Sequence, residues 1–176
     1  MTIKILEKTV DCMPQVYEIG DWYDLKVAED IHLKAPKANT LHRINQGKED
    51  AMRIRDVEFD SCIAKLGICV QVPKGYECIV VPRSSTFKNF GILQTNSFGV
   101  IDQTYCGDDD EWGMPMVATR QVTIPKGTRI AQFRVQLSQK ATVWQKIKWL
   151  FSSTPKIKQV FSLDNPQRGG FGSTGK

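Results

Sequence analysis

One turn signal occurs twice in this chain and constrains its fold more than any other feature. Pro73-Lys74-Gly75 and Pro125-Lys126-Gly127 each separate two short apolar runs. Ile68, Val70 and Val72 alternate before the first turn, and Cys78, Ile79, Val80 and Val81 follow it. Val122 and Ile124 precede the second, and Ile130 to Val135 follow. Proline pre-sets one turn dihedral and glycine supplies the positive φ that other residues resist, so each triplet forces a reversal between extended segments. Met1 to Val10 alternates in the same way. Short runs punctuated like this predict an all-β fold, a sandwich or jelly roll. The flanks of the two turns do not match, so the same turn chemistry is used twice without an internal repeat.

The 176 residues, 41% of them hydrophobic, suffice for one domain with its own core, assigned to residues 1–164. A net charge of +5 gives only a mild preference for polyanions, and no nucleic-acid partner is expected. The basic residues concentrate at 34–55 and 140–158, where they read as solvated surface on inserted segments. Five cysteines (Cys12, Cys62, Cys69, Cys78 and Cys106) form no Cys-x-x-Cys pair and read as reduced thiols of a cytoplasmic protein. No apolar run approaches the ~20 residues of a membrane span, so no membrane partner is expected.

Two stretches depart from the β pattern. Residues 36–56 are polar and basic with little periodicity, which predicts a long surface insertion. In the second insertion, about 139–158, Val143, Trp144, Ile147, Leu150 and Phe151 fall at helical spacing, predicting one short amphipathic helix packed on the domain or on a neighbouring subunit. Residues 165–176 are rich in glycine and serine and read as an arm outside the domain.

Chemistry concentrates around Asp102. It ends the apolar run Gly99-Val100-Ile101 and precedes Tyr105, so it is a candidate general base at a strand-to-turn junction, or simply a turn residue. Gly99 would let the backbone approach a planar base, and Tyr105 could stack on a sugar. Arg83, Ser84 and Ser85 offer a forked cation and two hydroxyls suited to phosphate. Gln132 stands where an interior strand should be apolar, bonding either backbone or a ligand. The last residues fit Gly-x4-Gly-Lys only formally, because the chain lacks the Ser or Thr and the helix that a P-loop requires. Still, Arg168 could supply charge, Phe171 an aromatic lid, and Gly172, Ser173 and Thr174 a strip of donors. The carboxylates of residues 108–111 read as a solvated loop in preference to a metal cage. Only His32 and His42 are present, both outside the main motifs; the zinc deaminase signature is missing, and a Ser-His-Asp triad is not expected.

Five segments in order resemble the trimeric dUTPases, in the variant of Bacillus and phage relatives. They begin at Tyr23-Asp24-Leu25, Pro82-Arg83-Ser84-Ser85, Asn96 (through Asp102 and Tyr105 to Gly107), Gly127 (through Gln132) and Gly169 (through Gly175). The resemblance implies a jelly-roll homotrimer that hydrolyses dUTP, with each site drawing on three subunits. In it Asp102 would activate the attacking water, while Asn96 and the backbone at Gly99, Val100 and Ile101 would read uracil. Tyr105 would pack on deoxyribose. Arg83, Ser84, Ser85 and Gln132 would hold phosphates, and Asp24 would touch waters around a Mg2+ ion on the triphosphate. The arm would close with Phe171 on the base. Ser85 replaces the family's usual glycine, and Arg168 stands three residues before Phe171 where five is usual. The same fold supports a dCTP deaminase, with or without triphosphatase activity, for which Glu111 is the nearby candidate. A nucleotide-gated regulatory protein, binding a partner through the inserted segments, is the reading from another class.

Overall fold

The computed structural model describes residues 1–16, 20–44, 52–151 and 154–170. Strands β1 (Thr2–Glu7), β2 (Tyr23–Lys26) and β3 (Ile31–Leu33) open the chain. A ribbon of β4 (Lys37–Ile44) and β5 (Met52–Glu58) follows, then β6 (Ser61–Lys65), β7 (Ile68–Gln71) and β8 (Tyr76–Pro82). A single-turn helix α1 (Thr86–Phe90) leads to β9 (Ile92–Gln94), β10 (Gly99–Asp102), β11 (Gly113–Ala118), β12 (Val122–Ile124) and β13 (Arg129–Leu137). Helix α2 (Val143–Phe151) and β14 (Lys156–Val160) precede the C-terminal segment. The fold is all-β and jelly-roll-like, as the turn pattern requires.

Both Pro-Lys-Gly turns do the same job. Gly75 and Gly127 have φ of 87° and 81°, and the amides of Tyr76 and Thr128 bond back to Pro73 and Pro125 at 3.1 Å. Neither turn closes a hairpin. β7 pairs with β1, whereas β8 pairs with β10 and β13; β12 pairs with β3, whereas β13 pairs with β8 and β2. Each turn therefore carries the chain from one sheet into another. The period-2 alternation then points side chains inward: Ile3 and Ile5 from β1, Cys78 and Val80 from β8, Met114 and Met116 from β11, and Phe133 and Val135 from β13 are all buried. Trp112 meets Phe133 edge-on at 5.1 Å and Tyr23 stacks on Phe133 at 5.0 Å, filling the centre.

Three local expectations are corrected. Residues 36–56 do not lie outside the β pattern, because β4 and β5 pair with each other as an antiparallel ribbon. The end of the segment 139–158 belongs to β14, which pairs in parallel with β1. A second helix, α1, accompanies the expected one. Helix α2 itself is inverted relative to a core-facing helix, with no residue fully buried. Gln145 and Trp149, one turn apart, form the side that touches the domain: Gln145 donates to the Lys74 carbonyl at 2.6 Å and Trp149 packs on Tyr76 at 5.7 Å. Val143, Trp144, Leu150 and Phe151 face solvent, at 69–86% exposure.

Candidate active site

The four-stranded sheet β10-β8-β13-β2 positions the chemistry. At its β10 edge lies a cavity of about 240 Å3 lined by Val80, Asn96, Gly99, Val100, Ile101, Asp102, Tyr105, Gly113 and Arg168 to Gly170. Seven of these residues are candidates named from the sequence. Gln94 donates to the Asn96 carbonyl oxygen at 2.8 Å and orients its side-chain amide. A Cβ placed on Gly99 would reach Val80 at 3.5 Å and nothing nearer, so the fold itself does not require glycine there. The Tyr105 hydroxyl donates to the Glu111 carbonyl at 2.8 Å, which sets the ring against the cavity wall. Burial pushes that phenol up to about 12.

Asp102 ends β10 and is half-exposed. The amide and hydroxyl of Thr104 both donate to its Oδ1, at 2.7 and 2.6 Å, a local turn that the Asp-x-Thr spacing produces. Arg168 Nη1 donates to both carboxylate oxygens at 3.0 Å. Partial burial draws the Asp102 carboxyl upward, but the two Thr104 bonds and the Arg168 guanidinium outweigh it. The carboxyl therefore titrates below its ordinary value and is ionised near neutrality.

The other candidates gather elsewhere. Asp24, 5% exposed, lies in β2 between two cations: Arg83 Nε at 2.8 Å from one oxygen and Arg129 Nη1 at 3.0 Å from the other. Gln132 is half-buried and pairs in register with Asp24 on one side and Val81 on the other. Ser84 is exposed and Ser85 caps α1 without a side-chain capping bond. The structure does not bring this group to Asp102. Asp102 pairs with Glu77 at one end of β8, and Arg83 lies beyond the other end, ~20 Å of extended chain away.

The acidic run is solvated only in part: Asp109 is exposed, as the sequence reading expects, but Asp110 is buried and the carboxylates have partners within the fold. Asp108 accepts from Ser162 and Leu163, each at 2.7 Å, Asp109 from Lys8 at 2.9 Å and from Gln167, and Asp110 from the amides of Gly107, Arg168 and Gly169. Asp110 is 1% exposed. These carboxylates thus dock the root of the arm. Phe171, Gly172, Ser173 and Thr174 lie outside the described residues. Sequence reasoning passed over Thr104 as a contributor; the Asp-x-Thr spacing was the local signal available.

Sequence and fold together match a known family. The model of the dUTPase family matches residues 53–175. Over 173 residues the chain is 39% identical to the SPbeta prophage-derived deoxyuridine 5'-triphosphate nucleotidohydrolase YosS of Bacillus subtilis, spanning 98% of this chain and 96% of that protein. The chain belongs to the dUTPase family. In fold it is similar to the dUTPase of Streptococcus mutans (TM-score 0.60, 18% identity, 81% of this chain and 99% of that one). It is similar also to the dUTPase of Staphylococcus bacteriophage 80alpha (TM-score 0.57, 16% identity, 81% and 94%), a protein described as controlling transfer of virulence genes by a proto-oncogenic G protein-like mechanism.

Proposed function

We propose that this chain hydrolyses dUTP to dUMP and pyrophosphate, with Asp102 as the general base for attack of water on the α-phosphorus. The observation that carries this reading is the single cavity joining an oriented amide (Asn96), an open glycine (Gly99), an aromatic ring (Tyr105) and an ionised carboxylate (Asp102). Asn96 and the β10 backbone offer donors and acceptors to a uracil edge. The Tyr105 ring, in the cavity wall, would pack on deoxyribose and crowd a 2′-hydroxyl. Asp102 takes the proton from water, and no covalent intermediate is needed. Arg168 leaves Asp102 for the phosphates as the nucleotide binds.

Arg83, Ser84, Ser85 and Gln132 present phosphate donors too far from Asp102 to serve it within one chain. A homotrimer, in which a neighbour brings this second group to the cavity, makes the site complete. Among the described residues no cluster of His, Cys, Asp or Glu could cage a metal. Asp24, although an arginine now sits on each of its oxygens, is the carboxylate that would contact waters around an ion arriving on the triphosphate. Mg2+ held there would neutralise phosphate charge. The five free thiols agree with a cytoplasmic setting.

The deciding experiment measures pyrophosphate release from dUTP, dTTP, dCTP and UTP with Mg2+. Release confined to dUTP supports the assignment, and ammonia from dCTP would replace it with deamination. A second role is favoured by α2, whose outward apolar face is flanked by Lys146 and Lys148: binding of a regulatory protein, tested by capture with and without a non-hydrolysable dUTP analogue.

A further inference from the structure

The C-terminal arm meets the domain at one buried carboxylate. Asp110 accepts from the Arg168 amide at 3.1 Å and the Gly169 amide at 3.0 Å, while its Oδ2 also accepts from Gly107 at 2.8 Å. Gly169 has φ of 77°, a pivot that favours glycine. On the loop side, a Cβ on Gly107 would lie 2.8 Å from the Gln167 Cα and 3.0 Å from its nitrogen, so the arm backbone rests directly on the bare glycine. A Cβ on Gly170 would meet the Tyr105 hydroxyl at 3.1 Å. One loop, 105–110, therefore forms both a cavity wall and the seat of the arm.

We infer that Asp110 is a positioning residue for dUTP hydrolysis: by holding the Arg168 and Gly169 amides it fixes the pivot from which the Arg168 side chain reaches Asp102 and the nucleotide. The inference rests on the dUTPase reading. The carboxylate offers only acceptors to three converging N–H groups. An asparagine of the same size would turn an NH2 group against at least one of them, and a buried donor left facing a donor is costly. Leu163 (3% exposed) and the bonds of Asp108 anchor the turn that precedes the seat.

Asp110→Asn should lower kcat by roughly 100-fold, the cost of misplacing aligned groups, with a smaller change in KM for dUTP. Trypsin should cut after Arg168 slowly in the parent and rapidly in the variant. The discriminating measurement is a cycle with a chain ending at Gln167. Because Asp110 acts through the arm, adding Asp110→Asn to that truncated chain should produce no further loss. An equal loss in both backgrounds would mean that Asp110 merely supports the loop bearing Tyr105, and the inference falls. Gly107→Ala, which lifts Gln167 from the other side, should reproduce the pattern if Asp110→Asn does not fold. In the unmodified chain, hydrogen exchange at the Arg168 and Gly169 amides should be slowed without nucleotide; free exchange overturns the inference. Absence of dUTP hydrolysis by the parent would remove the functional reading, while exchange and proteolysis would still decide the seat.

Discussion

Arg168 places one guanidinium nitrogen 3.0 Å from both oxygens of Asp102, so the candidate base rests against a cation from the arm of its own chain. The two side chains are 36% and 45% exposed. An ion pair this solvated contributes ~1 kcal/mol or less. A triphosphate carries several charges and can draw Arg168 away at little cost. The pair thus adds to the two Thr104 bonds in holding the Asp102 carboxyl below its ordinary value, yet is weak enough to be exchanged for substrate.

Asp102→Asn should retain the fold and bind dUTP while turning over ~100–10,000-fold more slowly, the range for a lost general base. Thr104 can still bond the amide oxygen, so the strand end keeps its shape. Single-turnover kinetics beside calorimetric dUTP binding checks this, and near-normal turnover would refute the assignment.

Arg168→Gln should move the acid limb of kcat/KM to higher pH. Asp102 works ionised, so activity falls as pH drops through its folded pKa, which lies below the ordinary carboxylate value. Removing the cation raises that pKa, and the limb follows it upward. The stability Asp102 contributes has the same sign: it is present above the unfolded pKa and lost as pH falls through the folded one. A pH–rate series on both chains reads the shift independently of any drop in rate from lost phosphate contact.

Asp24→Asn should destabilise the protein by about 3 kcal/mol, because it removes the one carboxylate that offsets the charges of Arg83 and Arg129 and leaves the two cations facing each other. Denaturant unfolding measures this. Restored stability in a variant that also replaces Arg129 by methionine would show that the cost is uncompensated charge.

The corners of the fold were legible because Pro-Lys-Gly dictates backbone angles locally, and helix α2 because Val143, Ile147, Leu150 and Phe151 keep its period. Which way that helix faces was not legible, since a stripe of apolar residues says nothing of what covers it. The β4–β5 ribbon escaped detection because residues 36–56 lack the apolar alternation that marks a strand, and among the described residues its two strands pair only with each other. The cavity side of the site was readable from contiguous residues 96–105. The seat of the arm was not: Asp110 and Arg168 are 58 positions apart, and three consecutive aspartates look solvated until the chain folds back on them. Nor could spacing tell that Arg83 and Asp102 lie at opposite ends of one strand pair.

Tyr105 separates two roles that its hydroxyl and ring perform. Tyr105→Phe loses the bond to the Glu111 carbonyl, costing about 1 kcal/mol of stability, yet keeps the ring, so preference for dUTP over UTP should hold. Tyr105→Ala opens the wall and should raise relative activity on UTP. Paired kcat/KM values for both nucleotides decide; an unchanged preference in Tyr105→Ala would place sugar selection in the β10 backbone.

Gly99 offers the sharpest test of where the base sits. Glycine is needed at some positions for positive φ and at others because a neighbour presses on it, and Gly99 shows neither: its nearest contacts to an added Cβ are Val80 at 3.5 and 3.8 Å and Asn96 at 3.9 Å, ordinary packing distances. Both neighbours line the cavity, so the space a methyl would fill is the space a planar base would use. Gly99→Ala should therefore unfold at nearly the parent's temperature, gaining slightly from the reduced freedom of the unfolded chain. Its KM for dUTP should nevertheless rise by 10-fold or more on the scale of ~1.4 kcal/mol per decade, as the base is pushed off the strand. Thermal unfolding and steady-state kinetics on one preparation distinguish the outcomes. Unchanged KM in a stable variant would move the base away from β10.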